Sequence, residues 1–253
     1  MRLRAPPHLD NGNQAAFGAA DVVDEYGRQA ALTLCEDALF RSELTPGIAL
    51  LDLGVGAGRT TPVLSALAYR YVGIDYAPAM VAACRERFPE LDFRVMDAAD
   101  LAAFADASFD AVVFSFNGFD YVYPREKRHA ALQEWRRVLR SGGTVLLSCH
   151  NARSIVVRPK VDRRHLVRTL GGSLRRGVRQ VARVGRWNAF WRGEGYVMDP
   201  THGGLLTWFT TPTRFAAEAR RAGFELRRVL PSGHPRPEWR WEAAWFYYVL
   251  VRN

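Results

Sequence analysis

Apolar residues follow two rhythms along this chain. IALLDLG (48–54), YRYVGIDYA (69–77), LDFRVMDAAD (91–100), FDAVVFSF (109–116) and GTVLLSC (143–149) are short, nearly continuous apolar runs, the mark of strands buried on both faces. Between them the spacing turns helical, most clearly over Arg125–Leu139. From about Asp21 to Phe40, Val22, Val23, Tyr26, Ala30, Leu32, Leu34 and Leu39 fall three and four apart, which predicts another helix. Strands alternating with helices predict βαβ units and an α/β fold: a doubly wound, mostly parallel sheet with helices on both faces. After Cys149 the rhythm breaks until about residue 210. It resumes with a helix over TPTRFAAEARRAG (211–223), with Thr211 or Thr213 to cap it and Gly223 to stop it. FELRRVL (224–230) and AAWFYYVLV (243–251) then read as a final antiparallel pair, bringing the sheet to seven strands. The expected organisation is a loose tail (1–20), one domain (21–253), and a basic helical insert (151–210) after the fifth strand.

Composition narrows the class. At 253 residues and 48% hydrophobic, the chain can bury a core without disulfide or metal staples. Cys35, Cys84 and Cys149 are odd in number and scattered, which argues against a disulfide framework or a structural zinc site. No apolar run reaches transmembrane length. The opening MRLRAPPHLDNGNQ has charge but no apolar stretch, so no secretory signal is expected and a cytoplasmic location is. The net charge of +9 is local: residues 151–195 hold twelve Lys/Arg against Asp162 and Glu194, which is +10, and the remainder is −1. Lys127 and Lys160 are the only lysines among 35 basic residues. In an alanine-rich chain this reads as the bias of a GC-rich genome, not selection for arginine.

The candidate chemistry sits at strand ends. Asp52-Leu53-Gly54-Val55-Gly56-Ala57-Gly58-Arg59-Thr60-Thr61 follows the first strand and opens a helix. Its GxGxG spacing is neither the GxGxxG of a dinucleotide site nor a P-loop, and alone it is a weak signal. Asp75 closes the second strand, where a carboxylate can accept from both hydroxyls of a ribose. Asp97 closes the third. Each acid by itself is an ordinary solvated strand end. With the glycine loop they put three ligand-competent groups where open α/β sheets bind ligands.

These segments, with FDAVVFSFNGFDYV and RVLRSGGTVLLSCHN, make the chain resemble the class I S-adenosylmethionine-dependent methyltransferases of the small-molecule and glycan branch. The resemblance runs from about Tyr26 to Asn253, interrupted by the insert. It implies that Gly54, Gly56 and Gly58 lie along the methionine part of S-adenosylmethionine, with Asp52 at its amino end. It further implies Asp75 on the ribose, Tyr76 and Met80 beside the adenine, and Asp97 with the Ala98 backbone on the adenine amino group. Ser115, Phe116 and Asn117 would floor the site near the sulfonium, and Tyr26 would close over it. The product would be S-adenosylhomocysteine. Val55 stands where many relatives have cysteine, a position that contributes mainly backbone.

A hydroxyl acceptor needs a base, and a carboxylate or neutral amine does not. His150, just after the fifth strand, is the first choice, with His202 in DPTHGG (199–204) next; either residue type also serves simply to shape a loop. Asn117, Asp120 and Tyr121, beyond the fourth strand, are candidate acceptor contacts. The absence of NPPY or DPPY there argues against adenine, cytosine or glutamine-amide methylation. His8, His129, His165 and His234 are assigned no role, and no metal is expected.

In the insert, Leu166, Leu170, Leu174, Val178 and Val181 form a helical stripe among arginines, split at Gly171-Gly172. It reads as a cap on the core, as a lid drawing in an anionic acceptor, or, with Trp187, Phe190 and Trp191, as a membrane-surface contact; a basic cap over the active site is preferred. Nucleic acid is the weaker partner, since no RNA-binding module is evident. The leading expectation is methyl transfer to an oxygen, second a nitrogen, of a small molecule or sugar. An RNA or peptide acceptor and a non-catalytic cofactor-binding subunit are the alternatives.

Overall fold

The protein is described by a computed structural model over residues 13, 14, 16–19, 21–23, 31–154, 185–199, 205–236 and 241–253. The insert stripe, Tyr26 and His202 lie outside these described residues.

The main sheet has seven strands: β1 (Ile48–Leu53), β2 (Ala68–Asp75), β3 (Asp92–Val95), β4 (Phe109–Phe114), β5 (Leu139–His150), β8 (Phe224–Pro231) and β9 (Trp245–Arg252). Their order is β3-β2-β1-β4-β5-β9-β8. The first five are mutually parallel, and β9 runs antiparallel to both β5 and β8. All six residues of β1 are buried, as its unbroken apolar run requires of a strand covered on both faces. Two apolar cores follow. Phe109, Phe119, Trp135, Phe215 and Tyr248 pack on one face, and Leu39, Leu50, Leu64 and Val81 on the other. All three cysteines are buried, and none is in a disulfide.

Helices α1 (Leu34–Glu43), α2 (Thr61–Leu67), α3 (Pro78–Arg87), α4 (Arg125–Val138), α5 (Arg186–Arg192) and α6 (Pro212–Arg221) complete the labelled elements. Chain order reverses between β1 and β4, so a crevice opens at the carboxyl ends of β1, β2 and β4.

Three expectations need correction. The helix predicted from residue 21 is interrupted: residues 31–33 are not helical, Thr33 being extended, and α1 starts afresh at Leu34. Thr33 is its cap, taking the Glu36 N–H on its hydroxyl while the Glu36 carboxylate takes the Thr33 N–H. A reciprocal cap of this kind outweighs apolar spacing running through it. The predicted loose tail is not loose at residues 13, 14 and 16–19, where helical turns hold Asn13 and Gln14 against the Leu206 and Tyr76 carbonyls. Finally, the stretch before α6 contains a two-stranded antiparallel sheet, β6 (Glu194–Asp199) with β7 (Leu205–Thr210), that the broken rhythm concealed.

Candidate active site

The β1–α2 loop starts at Gly54. Its φ is +58°, and a Cβ there would lie 2.4 Å from the Phe114 ring, so only glycine fits. Gly58 has the same requirement for a different reason: a Cβ would meet Phe88 at 2.7 Å. It seats the loop on α3 and does not line the cleft, whereas Gly54 and Gly56 do.

Asp52 lies beneath this loop, buried and likewise off the cleft wall. The hydroxyls of Thr60 and Tyr71 both donate to its Oδ2, at 2.9 Å each, while Oδ1 has no hydrogen-bond partner among the described residues. Burial pushes this carboxyl up to about 7, against the pull of those two hydrogen bonds.

Asp75 ends β2 at the cleft wall. Its Oδ2 accepts from the Gly56 N–H and its Oδ1 from the Ala77 N–H, both at 2.9 Å, so the acid ties the glycine loop to the start of α3. Burial raises its pKa, opposed by those N–H groups. Asp97, past β3, accepts from the Ala99 N–H and pairs with Lys127 Nζ at 2.7 Å. The Ala98 carbonyl takes the Trp135 indole N–H.

Beyond β4 the chain turns sharply. Phe116 and Asn117 both have left-handed backbone, φ +54° and +62°, which costs side-chain-bearing residues about 1–3 kcal/mol each. The Asn117 N–H donates to the buried Ser148 hydroxyl at 2.8 Å, which holds the kink. Phe116 thereby faces the cleft, with the Arg59 guanidinium 5.0 Å from its ring centroid and itself held by both oxygens of Glu36. The Asn117 side chain is buried away from the cleft wall.

The cleft is open to solvent on one side and has a cavity volume of about 110 Å³. Of the residues singled out from sequence, Gly54, Gly56, Asp75, Tyr76, Met80, Asp97, Ala98, Ser115, Phe116 and Tyr121 line it. Phe17, Met96, Val122 and Lys127 also line it and carried no local signal. Phe17 comes from the supposed tail and packs edge-on to Tyr121 at 5.0 Å.

His150 stands off the cleft, at the end of β5. Its backbone N–H donates to Oδ2 of the buried Asp120 at 2.6 Å, and its Nδ1 lies 2.9 Å from the same oxygen. The ring contacts Phe209 and Trp245, and Trp245 in turn meets Phe116 at 6.4 Å. The 3-10 turn Gly118–Tyr121 carries Asp120 and is anchored by Arg128, a fully buried residue of α4 that donates to the Phe119 carbonyl. Its guanidinium lies 3.6 Å from Glu218.

Residues 51–147 match the methyltransferase domain family. Demethylmenaquinone methyltransferase of Beutenbergia cavernae is 40% identical over 103 residues, 41% of each chain. Ubiquinone biosynthesis O-methyltransferase of Xanthomonas campestris pv. campestris is 33% identical over 110 residues, 42% of this chain and 44% of that one. The chain thus spans under half the length of these two relatives. Among solved structures, the 1,6-didemethyltoxoflavin-N1-methyltransferase of Burkholderia thailandensis, with its substrate and S-adenosylhomocysteine bound, superposes with a TM-score of 0.66. It is 17% identical, with 100% of this chain and 92% of that one covered. The CcbJ methyltransferase of Streptomyces caelestis gives 0.63 at 18% identity, covering 95% and 99%. The fold is that of the class I, Rossmann-like methyltransferases, and residues 51–147 are similar to the methyltransferase domain family.

Proposed function

We propose that this protein transfers a methyl group from S-adenosylmethionine to a hydroxyl oxygen of a small organic acceptor, with quinol-type compounds the first class to test. The observation that carries the reading is the cleft itself. Gly54 and Gly56 leave its floor open, Met80, Met96 and Phe17 make an apolar wall, and Asp75 and Asp97 set carboxylates at its edge. That lining fits a nucleoside: Asp75 for ribose hydroxyls, Asp97 and Ala98 for the adenine edge, Tyr76 and Met80 against its face. When bound, the cofactor supplies an electrophilic methyl whose bond to sulfur breaks as the new bond to oxygen forms.

The chain's own work is to align and deprotonate the acceptor. In-line displacement requires the attacking oxygen about 3–3.5 Å from the methyl carbon, opposite sulfur. Phe116, held out by its left-handed backbone, and Tyr121 border the place where an acceptor would sit. Asp120 is a positioning residue. As a carboxylate it can only accept, so it keeps the proton on His150 Nδ1 and leaves the Nε2 lone pair to take the hydroxyl proton of an acceptor that extends from the cleft past Phe116 and Trp245 to the end of β5. The names of the Beutenbergia and Xanthomonas relatives support a quinone-related acceptor and, for the latter, an oxygen target.

Calorimetric titration with S-adenosylhomocysteine on wild type and Asp75→Ala tests the cofactor site. Wild-type binding that falls at least about tenfold in the variant is expected, the effect of losing one charge-assisted hydrogen bond. Incubation with labelled S-adenosylmethionine and a panel of hydroquinones and catechols tests the acceptor, with mass spectrometry locating the methyl group. No wild-type binding, no transfer to any member of the panel, or a methyl found on ring carbon only, overturns the reading.

A further inference from the structure

Helix α5, RWNAFWR, presents opposite faces to opposite surroundings. Ala189 is fully buried in a small cluster with Ala152, Val197 and Phe209. Trp187 and Trp191, one turn apart on one side of the helix, are 51% and 73% exposed. Phe190 packs edge-on to both indoles, making one aromatic ridge. Cations frame it. Arg186 lies over the Trp187 ring, Arg153 over Phe190, and Arg192 ends the helix.

Two large indoles turned to water one turn apart are not explained by packing, because tryptophan is usually highly buried. The adjoining sequence adds a charge argument: residues 151–195 carry twelve basic and two acidic side chains. Indole rings at headgroup level, with arginines beside lipid phosphates, are the chemistry that holds a protein to an anionic bilayer surface. No helix among the described residues is long and apolar enough to cross a membrane, so the contact would be peripheral.

The position of α5 gives the contact a purpose. It leads directly into β6, whose Tyr196 hydroxyl donates to the Val122 carbonyl at 2.7 Å and whose Glu194 pairs with Arg125 at 3.1 Å. Val122 lines the cleft. The strand that continues from the ridge is therefore tied to a residue of the cleft wall.

We propose that α5 docks this protein on an anionic lipid bilayer, with Trp187 and Trp191 in the headgroup layer and Arg186 and Arg192 on lipid phosphates. The proposal does not depend on the acceptor or the methyl donor.

The test is co-sedimentation of the full chain with mixed phosphatidylcholine–phosphatidylglycerol vesicles and with phosphatidylcholine alone, read together with tryptophan emission. Binding to the anionic vesicles, a blue shift and weakening by salt are expected. Trp187→Ala/Trp191→Ala should lower the vesicle partition coefficient about tenfold or more, about 1.4 kcal/mol. Arg186→Glu/Arg192→Glu should do so while keeping both indoles. Both variants should keep the wild-type thermal midpoint and S-adenosylhomocysteine affinity. Equal binding to both vesicle types, undiminished binding by the tryptophan variant, or retention on RNA without retention on vesicles would each overturn the proposal.

Discussion

One carboxylate oxygen of Asp120 serves two groups of His150: it accepts the backbone N–H at 2.6 Å and lies 2.9 Å from the ring Nδ1. The first contact fixes the end of β5 and the second fixes the imidazole's tautomer. Asp120→Asn keeps the shape but can turn an amide N–H toward Nδ1, favouring the tautomer with its proton on Nε2. Turnover with a hydroxyl acceptor should fall about 100-fold, the low end of what a general base supplies, with S-adenosylhomocysteine affinity unchanged. The loss should shrink for acceptors that ionise at lower pH. A purely structural role for Asp120 predicts equal loss for every acceptor.

Asp52 makes stability pH-dependent with an unusual sign. Its carboxyl is pushed from 3.8 to about 7 by burial, so between those values the folded protein keeps a proton that the unfolded chain has released. Its contribution is complete below about pH 4, declines as pH rises through about 7, and is flat above that. The full effect is at most roughly 4 kcal/mol. In Asp52→Asn, where an amide oxygen still accepts from Thr60 and Tyr71, denaturant midpoints at pH 5 and pH 8 should lie closer together than in wild type. An unchanged gap would mean that Asp52 stays ionised throughout.

Gly54→Ala would set a Cβ 2.4 Å from the Phe114 ring on a backbone with φ +58°. A loss of about 1–3 kcal/mol is expected from overpacking, together with reduced S-adenosylhomocysteine binding, since the same residue lines the cleft. Phe114→Leu in the same chain should recover part of the stability. Thermal denaturation of the single and double variants decides it.

Phe17 reaches the cleft from the N-terminal segment and stacks edge-on to Tyr121 and Tyr76. Phe17→Ala should weaken cofactor affinity by about tenfold, about 1.4 kcal/mol, without a comparable loss of stability. Calorimetry beside thermal denaturation separates the two; a drop in melting temperature with unchanged affinity would assign Phe17 to the fold alone.

Much of this architecture is written locally. A parallel strand covered on both faces must be an apolar run, and β1 and β4 were readable as such from IALLDLG and FDAVVFSF. The glycine loop was readable because the need for a residue without a Cβ is local, and Asp75 because it is the last residue of its strand. Elements that depend on distant partners were not. The β6–β7 hairpin lies in a stretch without clear period, where Tyr196 and Trp208 find each other only across the two strands. Gly58 shows the same limit: its spacing matches the cofactor loop, yet its neighbour is Phe88.

Strand–helix alternation, the glycine turn and the acids at strand ends are legible in the chain alone, because periodicity and backbone sterics act within a few residues. Tertiary structure decided the partners. Asp120 and His150 are 30 residues apart, and meet because β4 and β5 pair in parallel, so that both run toward the same end of the sheet. Phe17 joins Tyr121 by the same kind of long-range packing, and Arg128, charged and on a helix, is buried because Glu218 and the Phe119 carbonyl meet it there. Contacts of that range are set by the closure of the fold, and no local pattern encodes them.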